Sequence, residues 1–191
     1  MKAVPIVVLG AGNLPCAVPV IASLASYFGE RPLEVRLWDA DPERLDLLDR
    51  LARVCFAAAS STHVLKALED PEEACEAGFA AIVTLDEHGA TRYLRLAGPA
   101  AGERMADALR HITDSLPEEA SVLDVVGVVE HRPAERVLAW PEPLHPMALR
   151  MFPHQILRWI RGDEYVVDLL STHEASPIKA WLDSLVVRSD F

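Results

Sequence analysis

The chain is poor in cysteine, and its few cysteines are poorly spaced for a structural role. Cys16, Cys55 and Cys75 are far apart and odd in number, and no Cys-x-x-Cys pair occurs. This pattern indicates neither a disulfide framework nor a cysteine-ligated zinc site. We therefore expect a cytoplasmic protein whose thiols stay reduced.

Positive charge is also scarce. Lysine and arginine together number 18 against 29 acidic residues, which gives a net charge of −11. An acidic chain repels the phosphates of nucleic acids and of anionic membranes. Nucleic-acid and membrane-surface roles are therefore disfavoured, whereas a hydrophobic content of 51% is ample for a buried core.

A long uninterrupted hydrophobic segment is missing too. No charged residue occurs between Lys2 and Glu30, but prolines, glycines and one asparagine interrupt that stretch. A helix that spans a bilayer needs about 20 consecutive, predominantly apolar residues. We therefore expect a buried strand, a glycine turn and a buried helix here, and no membrane association.

What the sequence does contain is an alternation of strands and helices. Apolar runs typical of buried parallel strands lie at 4–9, 33–38, 64–68, 79–85, 122–129 and 136–140, and a helix is predicted over 103–113. Strands separated by helices imply a parallel sheet with right-handed crossovers. The sequence therefore predicts an α/β fold, a Rossmann-type doubly wound parallel sheet over residues 1–140, with the strand order 3-2-1-4-5-6.

Aspartate-proline pairs mark two helix starts. The pair at 41–42 caps a helix, and the pair at 70–71 caps a short helix that Gly78 is expected to close. The first of these helices has an apolar face made of Leu45, Leu48, Ala52 and Cys55. An earlier helix follows the glycine turn and ends near residue 27. Pro15 fits its first turn, whereas Pro19 fits only if that helix begins late.

A proline-rich loop at 141–146 separates a short helical tail, 147–191, with helices expected at 147–161 and 177–187. The first tail helix is apolar over much of its circumference, at Met147, Leu149, Met151, Phe152, Ile156, Leu157, Trp159 and Ile160. A helix buried on two sides needs two partners: the sheet, and either the second tail helix or another subunit. We expect a homodimer to which the tail contributes, with packing inside one chain as the alternative.

A glycine pattern directly follows the first strand. Gly10 permits a tight turn, Gly12 lets the backbone approach a pyrophosphate, and the next helix begins with N–H groups that favour an anion. Asp39 ends the second strand, 27 residues after Gly12 against about 20 in the usual fingerprint. A carboxylate there accepts hydrogen bonds from ribose hydroxyls and repels a 2′-phosphate, which favours NAD over NADP. Pro15 replaces the third glycine, so a scaffold that no longer binds a cofactor is the alternative.

Three segments carry a family resemblance: Gly10-Ala11-Gly12-Asn13, Leu37-Trp38-Asp39-Ala40-Asp41-Pro42-Glu43-Arg44 and Asp70-Pro71-Glu72-Glu73-Ala74. They resemble the amino-terminal domain of the family 4 glycosidases, which share a superfamily with the lactate and malate dehydrogenases. Those glycosidases use NAD and a divalent metal, usually manganese, to oxidise, eliminate and re-reduce a sugar. The resemblance implies NAD-binding roles for Gly10, Gly12 and Asp39, and Asn13 belongs to the same predicted set.

The resemblance does not extend to the family's catalytic residues. The family has an Asn-Pro pair after the fifth strand, where this chain has Val126-Gly127-Val128. The family's metal-binding cysteine and histidine lie in a later region, and no cysteine follows Cys75 here. The chain also has less than half of the family's usual length. We therefore expect no family 4 glycosidase activity and assign no metal ligand.

Other candidates follow the fourth strand. Ligands of such sheets lie outside the carboxyl ends of the strands, where Asp86, Glu87 and His88 are expected. His88 is the predicted general acid or base, and Arg92 is predicted to pair with an anionic substrate. The alternative is a solvated loop followed by a surface helix, with no catalytic role.

Two further groups are interpreted as structural. Glu142, His145 and His154 resemble a metal site only in composition, since their loop is proline-rich and no further ligand is marked. His111 and Asp114 are one helical turn apart, as in a surface pair or a cap.

The leading interpretation is an NAD(H)-binding Rossmann protein that acts as an oxidoreductase on a small molecule. The alternative is a non-catalytic relative of the family 4 glycosidases, either a dinucleotide sensor or an assembly module. An enzyme needs an acid or base beside the nicotinamide and an element that encloses the substrate. A second subunit is one source of that enclosure.

Overall fold

The computed structural model describes residues 2–25, 27 and 31–124. Several sequence-based predictions lie outside these residues: the end of the fifth strand, the sixth strand at 136–140, the helical tail at 147–191 with its expected dimer contact, and the group of Glu142, His145 and His154. The architecture below is that of the described part of the chain.

Five strands and five helices alternate along the described residues, with one additional turn of 3-10 helix. The strands are β1 (Val4–Leu9), β2 (Leu33–Trp38), β3 (Val64–Ala67), β4 (Ala80–Val83) and β5 (Ser121–Asp124). The helices are α1 (Leu14–Ala25), α2 (Pro42–Ala58), α3 (Pro71–Cys75), α4 (Glu87–Ala97) and α5 (Met105–Thr113), and the 3-10 turn covers Pro99–Ala101.

The strands form one parallel sheet in the order β3-β2-β1-β4-β5. Leu9, the last residue of β1, is in register with Trp38 of β2 and with Val83 of β4. The chain leaves β1 towards β2 and β3 on one side, and returns to β4 and β5 on the other. The Rossmann-type α/β fold is confirmed in these strands, and its topological switch point lies between β1 and β4.

Helices cover both faces of the sheet, as a doubly wound fold requires. On one face, α1 and α2 pack against alternate residues of the central strands, with Ile21, Leu24 and Leu48 fully buried. On the other face, α3, α4 and α5 enclose a second cluster that includes Trp38 and Leu109. Because each fully buried Ile or Leu contributes roughly 1.5–3 kcal/mol, these two layers are the main source of the stability of the sheet.

The predicted helix starts after β2 and β3 are confirmed. The carboxylate of Asp41 accepts a hydrogen bond from the N–H of Glu43 at 3.1 Å, and that of Asp70 accepts one from Glu72 at 2.9 Å. Each side chain thus satisfies one of the N–H groups that a helix leaves unpaired at its start. The predicted apolar face of α2 is buried at Leu45, Leu48, Ala52 and Cys55.

The start of α1, which the sequence left open, is now given, and one local prediction is wrong. α1 begins at Leu14, so Pro15 lies in its first turn, and the helix continues through Pro19. One backbone hydrogen bond is lost there, and the complete burial of residues such as Ile21 offsets the loss. At the end of α3 the left-handed residue is Ala77, with φ 51°, rather than Gly78, whose N–H donates to the carbonyl of Cys75.

The β4 strand is shorter than its apolar run. It ends at Val83, and α4 begins at Glu87, which leaves three residues to form the connection at the carboxyl edge of the sheet. Thr84 and Leu85 are fully buried although they belong to this connection. None of the described helices is both long and apolar enough to cross a membrane.

Candidate functional site

The turn after β1 is pressed closely against the connection after β4. Gly10 has a φ of 84°, and a Cβ atom added to it would lie 2.1 Å from the Cα of Leu85. The N–H groups of Gly10 and Ala11 both donate to the carbonyl of Trp38, each at 2.9 Å. Glycine is therefore required at this position by the turn itself and by the close approach of a neighbouring segment.

Asp39 connects this turn to the end of β2. It is only 4% exposed, and one of its carboxylate oxygens accepts the N–H of Gly12 at 2.7 Å while the other accepts the N–H of Asp41 at 2.8 Å. Burial raises the pKa of Asp39 above its ordinary value, although the two N–H groups and the nearby Arg44 act in the opposite direction. The predicted ribose-binding carboxylate thus lies beside the predicted glycine turn.

Asn13 and Thr84 connect β1 and β4 across the switch point. The side-chain amide of Asn13 donates to the carbonyl of Thr84 at 2.7 Å, and the hydroxyl of Thr84 donates to the carbonyl of Gly10 at 2.9 Å. Asn13 therefore lies at the switch point, and its role in cofactor binding stays a prediction. Thr84 was not predicted as a site residue, because the sequence places it inside the expected fourth strand; its only signal is that it is a polar residue in an otherwise apolar run.

Arg44, in the first turn of α2, is a site residue that the sequence analysis missed. Its guanidinium donates to the carbonyl of Gly12 at 2.8 Å and forms a two-pronged ion pair with Asp86 at 2.7 and 3.1 Å. Burial alone would raise the pKa of Asp86, but hydrogen bonds from Arg44 and from the N–H of Gly89 hold it below its ordinary value. This ion pair joins α2 to α4 across the glycine turn.

The backbone donors of the glycine turn are used inside the chain. The N–H groups of residues 10–14, 16 and 17 each donate to a carbonyl or carboxylate of the chain, and Pro15 has no N–H. A Cβ atom on Gly12 would lie 2.6 Å from the Cβ of Arg44 and 2.8 Å from the carboxylate of Asp39. The close approach that requires glycine here is therefore made by the chain's own side chains.

The structure brings His88 and Arg92 together at the carboxyl edge. The imidazole Nε2 of His88 lies 3.4 Å from the carboxylate of Asp41 and is largely exposed. Arg92 donates to the carbonyl of Ala40 at 2.8 Å, and a second of its nitrogens lies 3.6 Å from the same carboxylate. Burial would raise the pKa of Asp41. The contacts with His88 and Arg92, together with backbone N–H groups at the start of α2, hold that pKa below its ordinary value. Both predicted residues thus lie beside the loop after β2.

One face of α4 lines a groove of about 360 Å³ at this place. Its lining residues are Glu87, His88, Thr91, Arg92 and Arg95. Two guanidinium groups, one imidazole and one hydroxyl on a single helical face are suited to an anionic group.

The remaining candidates are structural. His111 contacts the hydroxyl of Tyr93 through Nδ1, and Asp114 occupies the C-cap position of α5, so the two do not form a pair with each other. Within the described part of the chain, histidine, cysteine and acidic side chains do not converge in groups of three or more that would hold a metal ion. Cys16, Cys55 and Cys75 form no disulfide in the described part of the chain.

The site fits one half of a dinucleotide better than the other. A carboxylate has about four lone-pair positions, and Asp39 uses two of them for backbone N–H groups, which leaves acceptors for ribose hydroxyls. The pyrophosphate usually binds to unpaired N–H groups at the start of the helix. Those groups are already bonded in this turn, so the described backbone does not form the usual pyrophosphate cradle.

Comparison with known proteins finds likeness at the level of structure. The chain matches no family model and no curated protein. Similar structures include a 6-phospho-alpha-glucosidase from gut microorganisms in complex with NAD and Mn²⁺, which is 18% identical over 64% of this chain and 32% of its own, with a TM-score of 0.46. A second, in complex with NAD and glucose-6-phosphate, is 17% identical over 65% and 34%, with a TM-score of 0.49.

A malate dehydrogenase from Naegleria fowleri is also similar, with 13% identity over 65% of this chain and 39% of its own and a TM-score of 0.42. At these identities the likeness is one of fold alone. The chain spans about a third of the length of the two glucosidases.

Proposed function

We propose that this chain binds NAD(H) at the carboxyl edge between β1, β2 and β4. The observation that carries the proposal is the buried carboxylate of Asp39, held at 2.7 Å from the N–H of Gly12 at the end of β2. In a Rossmann fold this is the place where an acidic side chain receives the ribose of the adenosine half. The switch point between β1 and β4 is where such sheets bind their ligands.

Asp39 also accounts for the choice of cofactor. A 2′-phosphate would have to approach a carboxylate that is almost completely buried and whose hydrogen bonds come from the backbone N–H groups of Gly12 and Asp41. Repulsion between like charges in a buried place is strong. We therefore expect NADH to bind more tightly than NADPH.

The proposed reaction is an oxidoreduction of a small molecule that carries an anionic group. The groove on α4 supports this proposal, because Arg92 and Arg95 supply positive charge beside the nucleotide edge of an otherwise acidic chain. In this proposal Arg92 pairs with the substrate and His88 transfers a proton. The nicotinamide supplies the hydride chemistry when the cofactor is bound.

The second candidate is a non-catalytic dinucleotide-binding module. It is favoured by the position of His88, whose side chain is 62% exposed and lies beside Asp41 rather than in an enclosed cavity. Proton transfer in an enzyme is usually performed by a group shielded from bulk water. Binding without turnover of any anionic alcohol or carbonyl compound would distinguish this candidate from the enzyme.

The test of cofactor binding is a calorimetric titration of the purified chain with NADH and with NADPH. The wild type should prefer NADH, and Asp39→Asn should reduce that preference because the negative charge is removed. The amide NH2 also faces one of the two backbone N–H groups that the carboxylate accepts, so thermal melting of the variant must show that the fold is kept. Asp46→Asn, on the exposed side of α2 where Asp46 pairs with Arg50, is the matched control. Equal affinities of the wild type for the two cofactors would remove the role of Asp39. No binding of either would overturn the proposal.

A further inference from the structure

We propose that Arg44 is the phosphate-binding residue of this site, and that its guanidinium exchanges Asp86 for the pyrophosphate when a dinucleotide binds. The inference rests on the proposed function. It concerns a residue whose contacts, to the carbonyl of Gly12 and to the carboxylate of Asp86, place its guanidinium at the glycine turn.

The first step is the lack of backbone donors. A pyrophosphate needs hydrogen-bond donors or a cation to replace its hydration. The N–H groups from residue 10 to residue 17 are all bonded within the chain, and Pro15 has none to offer. A side chain must therefore supply what the backbone supplies in the usual fingerprint.

The second step is the position of Arg44. Its Nε would lie 2.8 Å from a Cβ atom built on Gly12, so the guanidinium occupies the space next to the glycine that a phosphate would use. If the side chain of Arg44 kept this conformation, it would block the phosphate. If the side chain rotated while the backbone of α2 stayed in place, its guanidinium could bind the phosphate instead.

The third step is the chemistry of the exchange. A guanidinium has five N–H donors in a planar fork that matches a carboxylate and a phosphate equally well. The side chains of Arg44 and Asp86 are 24% and 33% exposed, so water reaches the ion pair and can solvate the departing carboxylate. Asp86 keeps a second partner, because it accepts the N–H of Gly89 at 2.8 Å as the cap of α4.

The charges around the turn require this exchange. Asp39 and Asp86 both flank Arg44, so the described turn is already short of positive charge. A pyrophosphate with two negative charges would enter an unfavourable field if Arg44 stayed bound to Asp86. Transfer of the guanidinium to the phosphate removes that conflict, while water replaces the arginine at Asp86 and the cap hydrogen bond from Gly89 is kept.

The experiment measures the dissociation constants of NADH, ADP and adenosine for five variants, including Arg44→Lys, and for the wild type. Arg44→Gln removes the cation. Asp86→Asn frees the guanidinium and keeps a good helix cap. Arg53→Gln and Asp46→Asn remove the same kinds of charge from exposed pairs on α2 that do not touch the turn. Thermal melting of each variant reports whether the fold is kept.

We expect Arg44→Gln to weaken NADH and ADP by on the order of 10-fold or more, as for the loss of a charge-assisted hydrogen bond, and to leave adenosine unchanged. Asp86→Asn should tighten NADH and ADP by about two- to fivefold, as for the release of a partly exposed ion pair. The two control variants should bind all three ligands as the wild type does. Arg44→Lys should restore part of the affinity, because it keeps the charge without the fork.

Three outcomes would overturn the inference. Tighter binding by Arg44→Gln would mean that the arginine only obstructs the site. An equal loss for ADP and adenosine would mean that it only supports the turn. If the wild type binds NADH well and Arg44→Gln binds it equally well, Arg44 has no role in binding the cofactor. If NADH binds to neither the wild type nor any variant, the proposed function fails as well, and that result is distinct from the other three.

Discussion

The close approach of Gly10 to the connection after β4 allows a stability prediction with an internal control. Gly10 has a φ of 84°, and its missing Cβ would meet the backbone of Leu85 at 2.1 Å. Gly98 has nearly the same φ, 82°, but nothing lies within 4 Å of the place where its Cβ would be. Both positions have a positive φ, and only Gly10 adds a steric conflict, so alanine at the two positions compares backbone strain with and without that conflict.

The expected magnitudes follow from these two geometries. A residue with a side chain in a sparsely populated backbone region costs about 1–3 kcal/mol, and Gly98→Ala should lose only this amount. Gly10→Ala adds a conflict with backbone atoms, and displacement of well-packed segments costs a further 1–3 kcal/mol or so. Gly10→Ala should therefore destabilise the protein by about 2 kcal/mol more than Gly98→Ala.

Urea denaturation followed by fluorescence gives the free energy of unfolding of each variant. The tryptophan signal is suitable because Trp38, whose carbonyl accepts the N–H of Gly10, is almost completely buried. Equal losses for the two variants would refute the argument, because they would mean that the turn can move away from Leu85 at little cost. If Gly10→Ala has wild-type stability and full affinity for NADH, glycine is not required at this turn for cofactor binding either.

Four further predictions concern pH, catalysis and assembly. Stability should fall as pH drops below about 6.5, because burial lowers the pKa of His63, whose Nδ1 accepts the N–H of Leu33, and the unfolded chain therefore takes up the proton first. His63→Gln should flatten this part of the plot of unfolding free energy against pH, as measured with urea. An unchanged slope in that variant would contradict the assignment to His63. Once a reaction is found, His88→Ala should slow it by on the order of 10²-fold, and an unchanged rate would exclude the residue. With added manganese and NAD, a 6-phospho-glucoside assay should detect no glycosidase turnover, and turnover would contradict the argument from the missing Asn-Pro pair. Light scattering should find a particle of twice the 21.0 kDa chain mass, and Trp159→Glu should weaken the association of the two subunits. A wild-type monomer at micromolar concentration would contradict the predicted dimer.

The central elements of the fold could be predicted from the sequence because their boundaries are marked by chemistry. The apolar run of β1 ends at Gly10, and that of β2 ends at Asp39, so both strands were placed to the residue. The cap of α2 was equally clear, since a side-chain acceptor is followed by a proline that needs no hydrogen bond. Each of these signals depends only on residues that are neighbours in the sequence, so no knowledge of the sheet is needed to interpret them.

The connection after β4 could not be predicted in the same way. Thr84 and Leu85 continue the apolar run of β4 and are fully buried, but they belong to the connection that packs on Gly10. Hydrophobicity reports burial and does not distinguish a buried strand from a buried loop. The predicted strand was therefore two residues too long, at the very place where the site is formed.

Arg44 was missed for a related reason. An arginine in the first turn of a helix rich in charged residues is typical of a solvated surface, and helix periodicity assigns it to no partner. Its contacts are with Gly12 and Asp86, 32 and 42 residues away in the sequence, and they exist only because β1 and β4 are neighbours in the sheet. Such a pair follows from topology, which must be known before the pair can be expected.

The two glycines of the turn show why a glycine fingerprint alone is a weak sign of cofactor binding. Gly10 is needed for the approach of Leu85, and Gly12 is needed for the approach of Arg44 and Asp39, so both would be required even in a chain that bound nothing. The evidence for a ligand is instead electrostatic. Asp39 is almost fully buried and accepts two backbone N–H groups, and Arg44 is held by an ion pair that is partly exposed to water. A nucleotide would use both, and the response of its affinity to Asp39→Asn and Arg44→Gln is therefore a more direct test of function than any change to the glycines.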